Sequence, residues 1–336
     1  MMGGMDLFLG RSDTLVLLPS RECNIACDFC SVPPDGAWLD EELCVDLVEQ
    51  AAAIEGLDVV AITGGEPFLL LEQLAPALAA CRRHGLPLKL ITNGSWATSV
   101  EEARARLGPL VAQGLAQLSL SADPGHQRFI PAGHVELAVR VALDLGLYVH
   151  VAGTFTSTEE TVRQHLSLPE DERLTTADFV VQPFGRARGR PLSQTAYGFS
   201  EPLDDWGCYA ADRHDVTVFP TGKVYPCCSP AAESTALVMG DVREQPLAVI
   251  VDRIRNDFPL QVLKRRGFGY LYEALRELDP DLHISLPDPA SHVSACSLCA
   301  ALFPDPQLSP RLIATLDRHH LELAVQLLDP GNERPG

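Results

Sequence analysis

The stretch Thr14-Leu-Val-Leu-Leu-Pro-Ser-Arg-Glu-Cys23-Asn-Ile-Ala-Cys27-Asp-Phe-Cys30 places three cysteines directly after a short apolar run. A run of this length that ends at a proline predicts a buried β-strand. Three thiolates on the loop after that strand can bind three corners of a [4Fe–4S] cube, which leaves the fourth iron open for a substrate or cofactor. Zinc is the alternative, but a structural zinc site has four ligands, and no fourth ligand is nearby.

Short apolar runs alternate with amphipathic segments through the first half of the chain. Strands are predicted at 14–19, 57–63, 87–92, 115–121, 147–154 and 179–183, and helices near 39–54, 70–84, 98–112, 134–145 and 158–167. This alternation is typical of a parallel sheet covered by helices. Six units are fewer than the eight of a complete barrel, so the predicted fold is α/β, a partial (β/α)6 barrel. Ligands of such sheets bind at the carboxyl ends of the strands.

A different pattern follows residue 190. The segments 216–219 and 223–225 flank Pro220-Thr-Gly222, whose turn chemistry predicts a β-hairpin. Helices are predicted near 245–255 and 258–277, then a turn at Cys296-Ser-Leu-Cys299 and a last helix near 310–328. We therefore divide the chain into a barrel (1–190), a small domain of a β-hairpin plus helices (191–306), and a C-terminal helix and tail (307–336).

The composition limits the classes of partner. The 336 residues include 26 Lys and Arg against 45 Asp and Glu, a formal net charge of -19. Such a surface repels phosphate backbones and anionic lipids, so nucleic acid and membrane are excluded as expected partners. No apolar run is long enough to span a bilayer, and no signal peptide begins the chain. These features predict a cytoplasmic protein.

Ten cysteines in a reducing compartment indicate metal ligands or catalytic thiols rather than disulfides. Cys44 and Cys81 lie in amphipathic runs, and we interpret both as small buried hydrophobic residues on helices. Three cysteines belong to the first cluster, and the other five all follow residue 207. The sequence therefore predicts a second site in the C-terminal half.

The second strand ends in Thr63-Gly64-Gly65-Glu66-Pro67. Two glycines allow the backbone to approach a ligand closely, and Glu66 provides an acceptor for an amino group. The CxxxCxxC loop after strand one and Gly-Gly-Glu-Pro after strand two, in this βα order over residues 14–190, resemble the radical S-adenosylmethionine (radical SAM) enzymes.

The resemblance implies a cofactor site at the carboxyl ends of the strands. Cys23, Cys27 and Cys30 would ligate a [4Fe–4S] cluster, and S-adenosylmethionine would bind the open iron through its amino and carboxylate groups. Reduction of the sulfonium would then yield a 5′-deoxyadenosyl radical, so the cofactor performs the difficult chemistry. The residues implied to contact S-adenosylmethionine are Phe29 at the adenine, Gly64, Gly65 and Glu66 at the amino group, Asn93, Ser119 and Ser121 at the methionyl and ribose portions, and Arg186 at the carboxylate.

Four of the later cysteines can form a closed, four-coordinate site: Cys208, Cys227, Cys296 and Cys299. A zinc ribbon is the alternative reading of four such thiols. Beside a radical SAM core, the layout resembles the auxiliary-cluster domain called twitch, the shortened form of SPASM. A full SPASM domain needs three more cysteines. The resemblance therefore implies one auxiliary [4Fe–4S] cluster held by these four residues.

Cys228 has three interpretations: a spare thiol, a ligand in place of Cys227, or a free thiol that gives a hydrogen atom to a substrate radical. The segments Val224-Tyr-Pro-Cys-Cys-Ser-Pro-Ala and Lys264-Arg-Arg-Gly-Phe resemble the radical SAM peptide epimerases, which convert L- to D-residues in ribosomally synthesised peptides. The resemblance implies that Cys228 is the hydrogen donor and Asp215 a second active-site residue. For Asp215 the alternative is an ordinary solvated or turn-capping role.

The sequence thus predicts a radical SAM peptide epimerase that acts on a precursor peptide and receives electrons from a donor such as flavodoxin or ferredoxin. One alternative is a twitch-type dehydrogenase or a peptide cross-linking enzyme, in which the auxiliary cluster accepts an electron. Another is a non-catalytic iron–sulfur or zinc protein, either an electron carrier or a sensor. The Gly-Gly-Glu-Pro turn argues against a carrier, which has no need of a site for an amino group.

Overall fold

The computed structural model describes residues 13–157, 159–189, 203, 206–208, 213–229, 231–304, 310–312, 314–315 and 318. The described strands form a sheet in the order β6-β5-β4-β3-β2-β1-β7-β8-β9. Their bounds are β1 Asp13–Leu17, β2 Leu57–Ile62, β3 Leu88–Thr92, β4 Leu115–Ser121, β5 Tyr148–Phe155, β6 Leu174–Val180, β7 Asp215–Val218, β8 Lys223–Tyr225 and β9 Gly240–Asp241.

The α-helices connect the strands in the first half and dominate the second half. Their bounds are α1 Glu41–Ala52, α2 Leu71–His84, α3 Val100–Ala112, α4 Pro124–Gln127, α5 Ala132–Asp144, α6 Val162–His165, α7 Leu247–Asn256, α8 Phe258–Leu278, α9 Pro280–Ile284 and α10 Ala295–Leu302. The backbone of α8 leaves helical geometry at Gly267, where φ is 76°, a value that glycine adopts without strain.

The six strands β1 to β6 are parallel and adjacent in chain order, which confirms the predicted α/β arrangement. Strand six differs in position from its prediction, since it spans Leu174–Val180 rather than 179–183. It lies at the edge of the sheet, where several of its side chains face solvent. Its polar run Thr175-Thr-Ala-Asp178 therefore lacks the apolar pattern by which buried strands are recognised.

The predicted hairpin is present, and it extends the barrel sheet. Strand β7 pairs in parallel with β1, with Asp215 opposite Thr14, and β8 pairs antiparallel with β7, with Tyr225 opposite Thr217. The first strand of the chain therefore has β2 on one side and β7 on the other. As a result, residues after β8 lie beside the amino-terminal end of β7, close to Asp215.

The two faces of the parallel strands differ in polarity. Leucines such as Leu90 and Leu118 point outward and belong to the main core beneath the helices. The side chains between them point to the inner face, because successive residues of a strand alternate. This alternation places polar residues inside the barrel: Lys89 on β3, Gln117, Ser119 and Ser121 on β4, and His150 on β5.

A second core lies under the C-terminal helices. Leu263, Phe268 and Leu271 of α8 pack with Leu298 and Leu302 of α10. The expected turn at Cys296-Ser-Leu-Cys299 is instead part of helix α10, which Ser294 caps at its amino end. Much of the predicted helix near 310–328 lies outside the described residues. Within the described part, no helix is both long and apolar enough to cross a membrane.

Asp13 joins three parts of the fold. Its carboxylate accepts a hydrogen bond from Arg255 Nε of α7 at 2.8 Å, from the His214 backbone N–H at 2.7 Å, and contacts His214 Nδ1 at 3.0 Å. Burial favours the neutral form, but hydrogen bonds from His214 and Arg255 outweigh it, so the pKa of Asp13 lies below its ordinary value. The ionised carboxylate thus stabilises the folded state.

Asp13→Asn is expected to lower the free energy of unfolding by about 2 kcal/mol at pH 7, because hydrogen bonds to charged groups contribute about that much. Because folding lowers the pKa of Asp13, its stabilisation is present above the unfolded pKa of about 3.9 and disappears as the pH falls through the folded value. Urea unfolding at several pH values measures this. Asp144→Asn is the control, since its pair with Arg104 is exposed.

Candidate functional site

The loop with the three cysteines lies directly against the Gly-Gly-Glu turn. The Gly65 backbone N–H donates to Ser20 O at 3.0 Å, and the Glu66 N–H donates to Glu22 O at 2.8 Å. A Cβ atom on Gly65 would stand 1.8 Å from Glu22 O, and Gly64 has φ of 135°. Both glycines are therefore required by the close approach of the two backbones, which fixes the turn beside Cys23.

Glu66 is 1% exposed and accepts three hydrogen bonds. The Phe68 N–H and Thr92 Oγ1 donate to Oε1 at 3.0 and 2.7 Å, and the Asn93 N–H donates to Oε2 at 2.7 Å. Burial raises the pKa of Glu66, and these three hydrogen bonds oppose the shift. The two oxygens of a carboxylate can accept about four hydrogen bonds in all, so Glu66 can also accept one from an amino group.

Asn93 links this carboxylate to the cysteine loop. Its side-chain Nδ2 donates to Asn24 Oδ1 at 2.8 Å and lies 3.8 Å from Cys23 Sγ. The ends of β2 and β3 thus bring Glu66 and Asn93 together beside the first cysteine. Thr92 and Asn24 take part in this network but are not predicted as site residues, because Asn24 stands at a variable position of the CxxxCxxC loop and Thr92 ends a strand.

The three N-terminal cysteines are partly or fully buried. Burial is the main cause that raises the pKa of the Cys23 and Cys30 thiols, so a bound cation is needed to hold them as thiolates. Arg186 supports the loop by donating from its guanidinium to Cys27 O at 3.0 Å and from its backbone N–H to Cys30 O at 2.9 Å. The structure therefore places Arg186 at the cysteine loop itself.

The other residues predicted to contact a cofactor lie on the cysteine loop itself and on β4. Phe29 packs edge-on against His126 with ring centroids 5.7 Å apart. Ser119 is buried on the inner face, and its Oγ has no hydrogen-bond partner in the described residues, as expected of a ligand-binding hydroxyl. Ser121 lies on the same face at the end of β4.

His126 also belongs to this end of the barrel. Asp123 accepts from its Nδ1 at 2.8 Å and from its backbone N–H at 2.9 Å. Burial disfavours the charged ring, but hydrogen bonds with Asp123 and Cys27 raise the pKa of His126 to about 10. The Asp123 contacts fit a structural role for His126.

The four later cysteines meet at one pocket. Its wall is largely apolar and contains Cys208, Cys227, Cys296 and Cys299, together with the Lys264 side chain. Cys296 and Cys299 lie three residues apart on α10, so they share one face of the helix. Burial is the main cause that raises the pKa of Cys227 and Cys299, and neighbouring cysteines raise each further.

Cys228 does not line that pocket. Its side chain is exposed, and Sγ donates to Asp215 Oδ2 at 3.3 Å. Asp215 is 3% exposed and also pairs with Arg213, whose Nε lies 3.3 Å from Oδ1. Asp215 is therefore a buried carboxylate rather than a solvated one. Arg213 was missed in the sequence because it lies outside the motifs.

A model of the "Radical SAM superfamily" matches residues 17–159, and a model of the SPASM "Iron-sulfur cluster-binding domain" matches residues 208–266. The chain therefore contains a radical SAM domain followed by an SPASM iron–sulfur domain. The first match covers the three N-terminal cysteines and Gly-Gly-Glu, and the second covers Cys208, Cys227 and Cys228. Cys296 and Cys299 lie beyond it.

Known proteins of similar sequence or fold were also found. The radical SAM protein is 24% identical over 294 residues to YydG of Bacillus subtilis (strain 168), described as a peptide biosynthesis protein, covering 85% of this chain and 90% of the relative. The crystal structure "Native anSMEcpe with bound AdoMet and Cp18Cys peptide" has a TM-score of 0.53 at 13% identity and covers 91% of this chain and 99% of that one. BtrN in complex with AdoMet and 2-DOIA has a TM-score of 0.47 at 19% identity, covering 77% and 89%.

The radical SAM and SPASM domains define the cofactors: S-adenosylmethionine, a [4Fe–4S] cluster and auxiliary iron–sulfur. The donor sets fit these groups, since each is a set of partly or fully buried thiols brought close together by the fold. Within the described ranges, no three His, Cys, Asp or Glu side chains converge as ligands of a single metal ion do. Thiolates of a cubane bind separate irons and stand farther apart than the ligands of one zinc ion.

Cys299→Ala is expected to remove the auxiliary cluster, with a loss of about four irons per chain, because its thiol is one of four at the pocket. Iron analysis and the electron paramagnetic resonance signal of the reduced protein measure this. Cys44→Ala is the matched control, since Cys44 is 1% exposed in the main core and should leave the iron content unchanged. Equal iron in both variants would contradict the assignment.

Proposed function

We propose that this radical SAM protein is a peptide epimerase that converts L- to D-residues in a ribosomally synthesised precursor peptide. The observation that carries the proposal is the place of Cys228. Its thiol lies outside the four-cysteine pocket and hydrogen-bonds the buried Asp215 carboxylate. A thiol that lies outside the cluster pocket and is oriented by a hydrogen bond is suited to hydrogen-atom donation.

The position of this thiol relative to the cofactor site supports inversion. Glu66 and Asn93 follow the carboxyl ends of β2 and β3, whereas Asp215 begins β7, which runs parallel to β1. The cofactor residues and the Cys228–Asp215 pair therefore lie toward opposite ends of the parallel strands. A substrate between them presents one face to each, so removal and return of hydrogen take place on opposite faces.

When bound and reduced, the cofactors would supply a 5′-deoxyadenosyl radical able to remove the Cα hydrogen atom of the peptide. Cys228 then breaks its S–H bond and forms a new Cα–H bond on the other face, leaving a thiyl radical. One electron and one proton restore the thiol, and we assign the electron to an external donor such as flavodoxin or ferredoxin. Asp215 orients the thiol through its hydrogen bond.

Each remaining site residue has a proposed role. Three cysteines, Cys23, Cys27 and Cys30, would hold the radical-generating cluster, and four, Cys208, Cys227, Cys296 and Cys299, one auxiliary cluster. Phe29, Gly64, Gly65, Glu66, Asn93, Ser119 and Ser121 would contact S-adenosylmethionine. Because Arg186 donates to the loop carbonyls, we propose that it positions the cysteine loop as well as approaching the cofactor carboxylate.

A peptide substrate is supported by the relative YydG, which is described as a peptide biosynthesis protein. The proposed organisation is a barrel over 1–190 and an auxiliary-cluster domain over 191–306, with the cytoplasm as the reducing compartment. Because β7 and β8 continue the barrel sheet, the proposed boundary separates cofactor sites rather than independent sheets.

The test incubates the reconstituted protein with S-adenosylmethionine, a reductant and synthetic peptides encoded by short reading frames near its gene. Epimerisation leaves the peptide mass unchanged in H₂O and adds one deuterium in D₂O, and chiral analysis after hydrolysis identifies the D-residue. A dehydrogenase or a cross-linking enzyme removes two hydrogens, so a product lighter by two would reject the epimerase. S-Adenosylmethionine that is never cleaved would favour an electron carrier or sensor.

A further inference from the structure

Two polar side chains on the inner face of the barrel have no part in the proposed reaction. Lys89 on β3 and Gln117 on β4 are direct partners in neighbouring parallel strands. Adjacent strands are about 4.8 Å apart, so the two side chains leave the sheet side by side. Both follow the alternation that places Leu90 and Leu118 in the outer core.

Both side chains have unused hydrogen-bonding capacity. Gln117 is 7% exposed, and its Oε1 has no partner in the described part of the chain. Among the described residues, Lys89 interacts with other charges but makes no hydrogen bond, and burial lowers its pKa. A buried polar group without a partner costs about 1–3 kcal/mol, so the unpartnered Gln117 Oε1 beside the partly buried Lys89 points to a ligand.

The pair lies between the two groups that exchange hydrogen. Lys89 precedes Thr92, the Glu66 partner, by three residues, which places it about 10 Å further along the strand from the cofactor end. On its other side, the charges of Cys228 and Asp215 act on the Lys89 ammonium. The residue whose Cα is inverted must therefore lie beside Lys89 and Gln117.

The chemistry of the pair matches a peptide backbone. An extended residue directs its own N–H and C=O to the same side, as in a hydrogen-bonded pair of antiparallel strands. An ammonium donates to a carbonyl oxygen, and an amide oxygen accepts from an N–H. We propose, on the basis of the epimerase function, that Lys89 and Gln117 bind the backbone C=O and N–H of the residue to be inverted.

Such a backbone contact fixes the orientation of Cα without reading the side chain. When the N–H and C=O of the target residue are bound on one side, its Cα hydrogen can point toward the cofactor end of the barrel. The opposite face of the Cα then points toward Cys228. The two residues are thus positioning residues for the substrate. Different side chains at the target position are accepted to the extent that the remaining space allows.

A first test needs no substrate. Lys89→Met and Gln117→Leu replace side chains that make no hydrogen bond within the described protein with apolar groups of similar size. Because neither variant loses a hydrogen bond there, each should have a melting temperature close to or above that of the wild-type protein. A fall of more than about 5 °C in either variant would assign that residue to folding and overturn the proposal.

A second test measures peptide binding apart from chemistry. The probe is the synthetic peptide that the wild-type protein converts, titrated calorimetrically into the reconstituted protein with S-adenosylhomocysteine. Lys89→Met and Gln117→Leu are each expected to weaken binding about tenfold, since one hydrogen bond is lost in each case. Lys223→Met, at the exposed first position of β8, is the matched control and should bind as the wild type does.

Modified peptides identify the backbone groups. N-Methylation of the target residue removes its N–H, so Gln117→Leu should have no further effect on that peptide. A thioamide at the target carbonyl should likewise cancel the effect of Lys89→Met. If the effect of Lys89→Met is cancelled instead by replacing an acidic side chain of the peptide with a neutral one, Lys89 binds that side chain and the proposal is wrong. Failure of the epimerase function can be told apart from failure of this proposal. In that case the peptide product would be lighter by two hydrogens, while the binding differences between the variants would remain.

Discussion

Cys228→Ala is expected to abolish inversion, with product formation reduced by at least about 100-fold, while the protein still binds its clusters and cleaves S-adenosylmethionine. The physical reason is that Cys228 lies outside the pocket of the four other thiols and hydrogen-bonds Asp215 Oδ2 at 3.3 Å. Removal of its thiol takes away the hydrogen donor and leaves both donor sets of the clusters intact.

The measurement compares three quantities in one reaction: 5′-deoxyadenosine, D-residue and iron. We expect normal iron and continued formation of 5′-deoxyadenosine, but hardly any D-residue. A loss of about four irons per chain would instead make Cys228 a cluster ligand. Asp215→Asn is a graded companion, because it keeps the shape of the side chain but weakens the acceptor of the thiol hydrogen bond.

Gly65→Ala is expected to eliminate S-adenosylmethionine cleavage. The added Cβ would lie 1.8 Å from Glu22 O and 2.6 Å from the Arg21 carbonyl carbon, both backbone atoms that cannot move without moving Cys23. The hydrogen bonds that join the turn to this loop, including Glu66 N–H to Glu22 O, would break. We therefore expect loss of the first cluster, about four irons per chain, together with the site for the amino group.

Gly108→Ala is the matched control. Gly108 lies within helix α3, and a Cβ there meets nothing within 4 Å. Alanine in a helix interior is more stable than glycine by about 0.5–1 kcal/mol, so this variant should unfold no more easily than the wild type and keep full iron. Full iron content and normal S-adenosylmethionine cleavage in Gly65→Ala would contradict this prediction. They would show that the Gly-Gly-Glu turn and the cysteine loop are not in close contact once the cofactors are bound.

Most strands were predictable because their residues are buried on the outer face and give clear apolar runs. The sequence places strand β6 about five residues too late, because an edge strand has polar, exposed residues that do not form an apolar run. The helical position of Cys296 and Cys299 was also missed, since a CxxC pair has the same spacing in a turn and on a helix face. The pairing of β7 with β1 joins residues about 200 apart, and no local pattern records it.

By itself the sequence determined the chemistry: three cysteines after the first strand, Gly-Gly-Glu after the second, and four further cysteines identify the cofactors, because motif spacing is a local property. The tertiary structure decided which groups meet. Pairing of β7 with β1 brings Asp215 to Cys228 and keeps Cys228 apart from the pocket of the other four thiols. The pairing of β3 with β4 sets Lys89 and Gln117 side by side on the inner face. Such long-range contacts result from strand order and sheet packing, which depend on the whole chain rather than on any one segment.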